Sequence, residues 1–433
     1  MNIKIAVNTT VLSTGIRITG SKSETNRLLL LQALYPGITI GNISESDDSA
    51  VMQQALANTG SDVIDIHHAG TAMRFLTAYF SLQEGREVTL TGSQRMKERP
   101  IGVLVDALRN LGAQIEYTEN EGYPPIKITG KALTGGKVTI KADVSSQYIT
   151  ALLLIAGRLE NGLELTLQGE LTSIPYIKMT LGLLSELGIE ATFEGNIISV
   201  KSQISNSKSQ AGGAASKPTT NNQQPATITV ESDWSSASYF YSIVALAQEG
   251  TTIKLSSYKQ NSLQGDSALA DIYKQMGVET TFEGNTIILT KVKSQPTTLN
   301  FQLNNTPDIA QTIAVTCFGL GIGCHLTGLH TLKIKETDRL EALKIELGKF
   351  GATVSITNDS LTLAPHSLFK PGSSESVGNG VAVATYNDHR MAMAFAPLAI
   401  KTPFIINDAQ VVSKSYPTFW DDMKALGFSV NEL

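Results

Sequence analysis

LGLLSELGIEATFEGNIISV, residues 181–200, reads as one structural phrase. Its first half is an amphipathic helix ending on Leu187 and Gly188, where a helix C-cap needs the left-handed conformation. The residues after Gly188 alternate apolar and polar as a strand does, and EGN is a tight hairpin turn. The phrase recurs as LADIYKQMGVETTFEGNTIIL (269–289), LVDALRNLGAQIEYTENEGYPPIKITG (104–130) and LKIELGKFGATVSITNDSLTL (343–363). A truncated copy, MKALGFSVNEL (423–433), closes the chain, and a degenerate one, MQQALANTGSDVIDI (52–66), stands near its start.

The repeat glycines are Gly60, Gly112, Gly188, Gly277, Gly351 and Gly427. Their spacing of roughly 50 to 90 residues is too long for a solenoid repeat. Six βαβαββ-sized units fit it, three to each of two domains. The last copy stops after one strand, so another segment must complete its sheet, and the N-terminal KIAVNTT is the candidate. Both ends of the chain are therefore expected in one domain, with the other inserted between them. Residues 201–226 are rich in Ser, Gln, Asn and Gly and nearly free of large apolar side chains, as in a mobile surface insertion.

The bulk properties agree with two globular domains. The chain has 433 residues, 42% of them hydrophobic and 17% charged. Its net charge of −5 argues against a general nucleic-acid binder, so any anion recognition must be local. No apolar run reaches the roughly 18 residues that span a bilayer, and the first residues carry no secretory or transit signal. A cytoplasmic location with no membrane or nucleic-acid partner is the expectation. Cys317 and Cys324 read as buried reduced thiols, and no Cys/His spacing points to a metal.

Several clusters could carry chemistry. GSKSETNR (20–27) gathers hydroxyls, Lys22 and Arg27 at a helix start, but its spacing is wrong for a P-loop. AGTAMRF (69–75) is a Gly-Thr turn opening an apolar helix. SQRMKERP (93–100) concentrates Arg95, Lys97 and Arg99, and arginine suits planar carboxylate or phosphate partners. DVSSQY (143–148) and SIPYI (173–177) are hydroxyl-rich turns. Asp308 follows a proline at a helix start, and KETDRL (335–340) packs alternating charges into little more than one turn. NDHRMAM (387–393) and VSKSYPTFW (412–420) add Asp388, Arg390 and Lys414. Taken singly, each is also an ordinary N-cap, turn or solvated charged face.

In this order, SKSETNR, AGTAMR, RMKERP, SSQY, PDIA, KETDRL, DHRMAM and VSKSYPTFW resemble the 5-enolpyruvylshikimate-3-phosphate synthase (3-phosphoshikimate 1-carboxyvinyltransferase) family. The resemblance runs from Gly20 to Trp420. It implies an α/β (α+β) fold: a two-domain inside-out α/β barrel of six βαβαββ repeats, closing over its substrates. The domains would be 1–20 with 231–433, and 21–230. It implies transfer of the enolpyruvyl group of phosphoenolpyruvate to the 5-hydroxyl of shikimate 3-phosphate, without cofactor or metal, by a monomer. Shikimate 3-phosphate would meet Lys22, Ser23, Arg27, Ser145, Ser146, Gln147, Ser173, Tyr176, Asp308 and Lys335. Phosphoenolpyruvate would meet Lys22, Gly70, Thr71, Arg95, Gln147, Arg339, Arg390 and Lys414. Asp308 would be the base, and Glu336, alone or together with Lys22, the acid.

The chain departs from the family pattern at His68, Phe75 and Thr331, and the first two would flank the phosphoenolpyruvate pocket. Gly70 is retained, which implies sensitivity to glyphosate, a competitor for that pocket. The rival reading is UDP-N-acetylglucosamine enolpyruvyltransferase, with the same fold and donor. That family typically carries a cysteine in the loop corresponding to SQRMKERP, which has none. A non-catalytic anion-binding homologue is the other, opposed by intact Lys22, Asp308, Glu336 and Arg390.

Overall fold

One repeat shows how the chain is built. Strand Val63–Asp65 is followed by the helix Gly70–Ser81, then by strand Glu87–Thr91, which pairs in parallel with the first. A parallel pair requires a crossover, and the helix supplies it. A second helix, Gly102–Asn110, leads into the hairpin Gln114–Tyr117 and Ile126–Thr129, which adds to the sheet antiparallel. The crossover helix is apolar nearly all round and buries every residue except Thr71. The second is amphipathic and buries Leu104, Val105, Ala107 and Leu108 on one side.

The computed structural model describes residues 1–7, 11, 13–141, 145–169, 174–204, 227–294, 297–369 and 377–433. Among them, five four-stranded sheets share that strand order; four end on a hairpin, and the fifth on the paired N- and C-terminal strands. The glycines closing the five outer helices, Gly112, Gly188, Gly277, Gly351 and Gly427, have φ of 103°, 72°, 78°, 87° and 92°. An L side chain there would be strained, which is why glycine recurs. The turn glycines Gly195 and Gly284 of the two EGN sequences are also left-handed.

The degenerate copy at Met52 differs. Gly60 is not among the left-handed glycines, and the strand after it, Val63–Asp65, opens the next sheet instead of forming a hairpin. The sixth sheet has two described strands, Thr39–Gly41 and Thr227–Thr229, in parallel. The final sheet takes the N-terminal strand Ile3–Val7 between Phe404–Ile406 and Phe428–Glu432, antiparallel to both.

The chain divides into two compact units. The first comprises Met1–Ser21, Ser44–Ser46 and Glu231–Leu433, and the second Lys22–Ile43 and Asp47–Val230. Each has its own apolar core. Each core is threaded by three crossover helices: α1 (Lys22–Leu34), α2 (Gly70–Ser81) and α3 (Ser146–Ala156) in the second unit, and α4 (Trp234–Leu246), α5 (Ala310–Leu320) and α6 (His389–Phe395) in the first. Within each unit these helices pack on one another. Cys317 and Cys324 are buried free thiols of the first unit. Residues 205–226 of the Ser/Gln-rich stretch and Ser173 lie outside the described residues.

Candidate active site

In the first unit every crossover helix begins at a carboxylate. Asp233 caps α4, accepting the Ser236 N–H at 2.8 Å. Asp308 lies in the 3-10 turn Pro307–Ile309 that leads into α5. Asp388 caps α6, accepting the Arg390 N–H at 2.9 Å. The positive end of each helix dipole favours a negative group there.

Arg339 ties this set together. It opens the outer helix Arg339–Lys349, and its guanidinium is only 2% exposed. Its Nε donates to Asp388 Oδ2 at 2.6 Å, its Nη1 to Asp308 Oδ1 at 2.9 Å and its Nη2 to Glu336 Oε2 at 2.8 Å. Burial opposes its charge, but Asp388, Glu336 and Asp308 together outweigh burial and hold its pKa above the ordinary value. Burial also pushes Asp388 up, against the pull of Arg339. Lys335 Nζ stands 3.6 Å from Asp308 Oδ1. Arg390 donates from Nη2 to Asp308 Oδ2 and from Nη1 to the Asp308 carbonyl, both at 3.2 Å. Asp308 is thus ringed by three cations, and Glu336 is held beside it by a shared arginine.

The turn before α6 is strained and braced. Tyr386 and Asn387 both have left-handed φ, at 55° and 56°. Such residues cost on the order of 1–3 kcal/mol each unless the surroundings hold them. The Tyr386 hydroxyl donates to buried Glu346 at 2.6 Å, and Lys414 Nζ donates to the Asn387 carbonyl at 2.7 Å. Lys414 therefore reaches the turn that presents Asp388 and Arg390.

The second unit begins its crossover helices with cations and hydrogen-bond donors. Lys22 opens α1 and pairs with Asp48 at 3.2 Å. Arg27, one turn on, is 3% exposed. It donates to Thr180 Oγ1 at 2.9 Å, the Ser23 carbonyl at 2.6 Å, Thr150 Oγ1 at 3.3 Å and the Tyr176 carbonyl at 3.4 Å. The rings of Phe75 and Tyr176 lie 5.6 and 5.7 Å from it. Burial lowers Arg27 to about 10, with Tyr176 and Glu24 opposing. Phe75 is fully buried against this arginine.

Helix α2 starts at Gly70 with no side-chain cap. A Cβ on Gly70 would come within 2.5 Å of Arg99 Nη1, so the Arg99 guanidinium lies flat on that helix start. Arg74, buried one turn later, donates to the Gly70 carbonyl at 3.3 Å and the Pro100 carbonyl at 2.8 Å. Burial, then Arg99, lowers it to about 10. Ser145 caps α3 by accepting the Gln147 N–H at 3.3 Å, Ser146 is its first residue, and Gln147 Nε2 donates to Thr71 Oγ1 at 3.2 Å. Uncapped N–H groups and cations at one helix start suit an anion.

The fold therefore brings Asp308, Lys335, Glu336, Arg339 and Arg390 into one cluster, with Lys414 on the adjoining turn. In the second unit it joins Ser23, Arg27 and Tyr176, and separately Thr71, Ser145 and Gln147. Arg95 is half-exposed and pairs with Glu98 at 3.3 Å. His68 Nδ1 meets Ser93 Oγ at 2.8 Å. Sequence reasoning missed Asp48, Arg99 on Gly70, Glu346 and the structural part of Asp388. The N-cap position in NDHR was the available signal for Asp388; Glu346 sits in a plain helix and offered none.

The model of the EPSP synthase (3-phosphoshikimate 1-carboxyvinyltransferase) family matches residues 57–423. A 3-phosphoshikimate 1-carboxyvinyltransferase of Bacteroides fragilis is 46% identical over 419 residues, covering 96% of this chain and 95% of the relative. The chain belongs to the EPSP synthase family. A Sulfurovum relative of the same name is 37% identical over 95% of this chain and 96% of its own length. The EPSP synthase structure from Acinetobacter baumannii matches all of both chains with a TM-score of 0.78 at 22% identity, a likeness of fold. In this EPSP synthase family member, the cluster around Arg339 falls inside the matched residues.

Proposed function

We propose that this chain moves the 1-carboxyvinyl group of phosphoenolpyruvate onto the 5-hydroxyl of shikimate 3-phosphate, with the acid–base chemistry on the first unit. Asp308 takes the 5-OH proton while the oxygen adds to C2 of phosphoenolpyruvate, and Glu336 delivers a proton to the C3 methylene. The tetrahedral adduct then loses phosphate from C2, which carries off the proton held by Asp308, and returns a proton from C3 to the Glu336 carboxylate, which restores the double bond in the product.

The observation that supports this most is the pairing of Asp308 and Glu336 through one buried guanidinium, at 2.9 and 2.8 Å. The arginine favours the ionised form of both, which suits a base. For Glu336 to act as an acid, the incoming substrate anions must offset that cation. Arg339, Arg390 and Lys414 are assigned to phosphoenolpyruvate. Lys22 is assigned to both substrates, and Gly70, Thr71, Arg95 and Gln147 also to phosphoenolpyruvate. Ser23, Arg27, Ser145, Ser146, Ser173, Tyr176 and Lys335 are assigned, with Asp308 and Gln147, to shikimate 3-phosphate. On this reading the chain works as a cytoplasmic monomer; a dimer's mass in gel filtration would remove the second half.

A coupled phosphate-release assay tests the reading. Phosphate should appear only with phosphoenolpyruvate and shikimate 3-phosphate together. Release with UDP-N-acetylglucosamine as acceptor instead would overturn it. Glu336→Gln should bind both substrates and lose about 10²–10⁴-fold in kcat; unchanged turnover would remove Glu336 from the acid role.

A further inference from the structure

One buried carboxylate behind the first-unit cluster has no part in the reaction as assigned. Asp266, in the 3-10 turn Gly265–Ala268, is 5% exposed. Its Oδ2 accepts a hydrogen bond from Ser235 Oγ in the first turn of α4. Ser235 Oγ in turn accepts from Arg390 Nη2 at 3.4 Å, and the same Nη2 reaches Asp308 Oδ2 at 3.2 Å. A single line of contacts thus leads from Asp266 through Ser235 to the arginine that grips Asp308.

A hydroxyl has one proton and two lone pairs. While Ser235 gives its proton to an ionised Asp266, its lone pairs remain for Arg390. A protonated Asp266 can instead donate to Ser235, which occupies one lone pair and frees the Ser235 proton to turn, so the acceptor facing Arg390 is no longer fixed. We propose that Asp266 is a positioning residue: its carboxylate fixes Ser235 as an acceptor for Arg390, and thereby sets how Arg390 holds phosphoenolpyruvate. The inference rests on the assignment of Arg390 and Asp308 made above.

The charged groups facing Asp266 come from three elements: Asp308 before α5, Arg390 on α6, and Asp233 at the cap of α4. Burial foremost, then Asp308, raises Asp266 to about 7, with Arg390 and the Ser235 hydrogen bond opposing. An exposed aspartate titrates at about 3.9. Below neutrality the carboxyl is protonated and Ser235 is no longer committed to it; above neutrality the line is set. The ionised form also places a negative charge near Asp308, which strengthens Asp308 as a base. Both effects make activity rise with pH through about 7.

Both substrates carry phosphate, which titrates at about 6, so the readout is the ratio of wild type to variant. Values of kcat/KM for phosphoenolpyruvate are measured from about pH 6 to 8 for wild type, Asp266→Asn, Ser235→Ala, Asp266→Glu and Arg390→Lys. The wild-type to Asp266→Asn ratio is expected to change about tenfold across this range, the worth of roughly one hydrogen bond. Ser235→Ala, which removes the line but keeps the charge, should show a smaller ratio that still changes with pH, and Asp266→Glu should restore most of the wild-type profile. A ratio that stays constant with pH marks a merely structural residue and overturns the inference. If Asp266→Asn fails to fold, Ser235→Ala, which keeps the carboxylate, decides by the same criterion. Arg390→Lys separates the two levels. A raised KM for phosphoenolpyruvate with flat ratios for the other variants sinks only the role of Asp266. An unchanged KM removes Arg390 from the donor site and the inference with it.

Discussion

The two units use the same repeat and load its helix starts with opposite chemistry. In the first, α4, α5 and α6 begin at Asp233, Asp308 and Asp388. In the second, α1, α2 and α3 begin at Lys22, uncapped Gly70 and Ser145–Ser146. A carboxylate at a helix N-terminus is stabilised by the dipole, whereas a cation there is disfavoured until an anion arrives. One scaffold therefore gives a carboxylate cluster fit for moving protons and, separately, helix starts fit for holding phosphate. The arginines divide likewise. Arg339 is matched by three carboxylates, while Arg27 makes its hydrogen bonds to hydroxyls and carbonyls and is flanked by two rings.

If the carboxylates of the first unit hold a buried charge, removing one should cost stability there. Asp388→Asn leaves Arg339 with Asp308 and Glu336, so a loss of about 3 kcal/mol is expected, the low end for a broken buried pair. Trp234 and Trp420, the two tryptophans, both lie in the first unit. Tryptophan fluorescence during urea unfolding therefore reads that unit alone. A Trp transition unmoved by Asp388→Asn would break the comparison, because the buried arginine would then not depend on its matched charges.

The second unit is probed at Gly70. A methyl there meets the Arg99 guanidinium at 2.5–3.0 Å, at the end of a flexible side chain that can swing away. Folding should change little, but the cation would leave the helix start. Gly70→Ala should raise KM for phosphoenolpyruvate about tenfold, the scale of one charge-assisted contact, with the KM for shikimate 3-phosphate little altered. A reversed pattern in the two KM values would place Gly70 at the other substrate.

The repeat was legible because its decisive residue is a glycine with a conformational task. Five of the six marked glycines are left-handed caps; the strands after four of them open hairpins, and the strand after Gly427 pairs with the N-terminal strand. The copy at Gly60 misled because the strand after it belongs to the next sheet, which helix and turn signals within that stretch cannot reveal. At the site, Asp308, Glu336, Arg339 and Arg390 were recognised through family motifs. Asp266 was not, since GDSA before an apolar helix is ordinary helix-start sequence. Its meaning depends on burial, on Ser235 in the crossover helix of the same repeat, and on Arg390 reaching Ser235 from another. Arg99 lay within a marked charge cluster, but only the backbone path shows that it, more than Arg95, covers Gly70.

The smallest expected effect tests the same contrast from the other side. Lys22 and Asp48 form an ion pair at 3.2 Å, with 18% and 15% of their side chains exposed. Lysine is a flexible, strongly hydrated point charge, unlike the planar fork of Arg339. Losing Asp48 leaves an ammonium that water can still reach. Asp48→Asn should therefore cost no more than about 1 kcal/mol, less at high salt, where such pairs are screened. The tryptophan transition should not move, since the pair belongs to the second unit; far-UV circular dichroism would carry whatever loss occurs. A cost as large as that of Asp388→Asn would show that Lys22 needs its carboxylate as Arg339 does. The second unit would then hold matched buried charge as well, and the division of labour between the helix starts would fail.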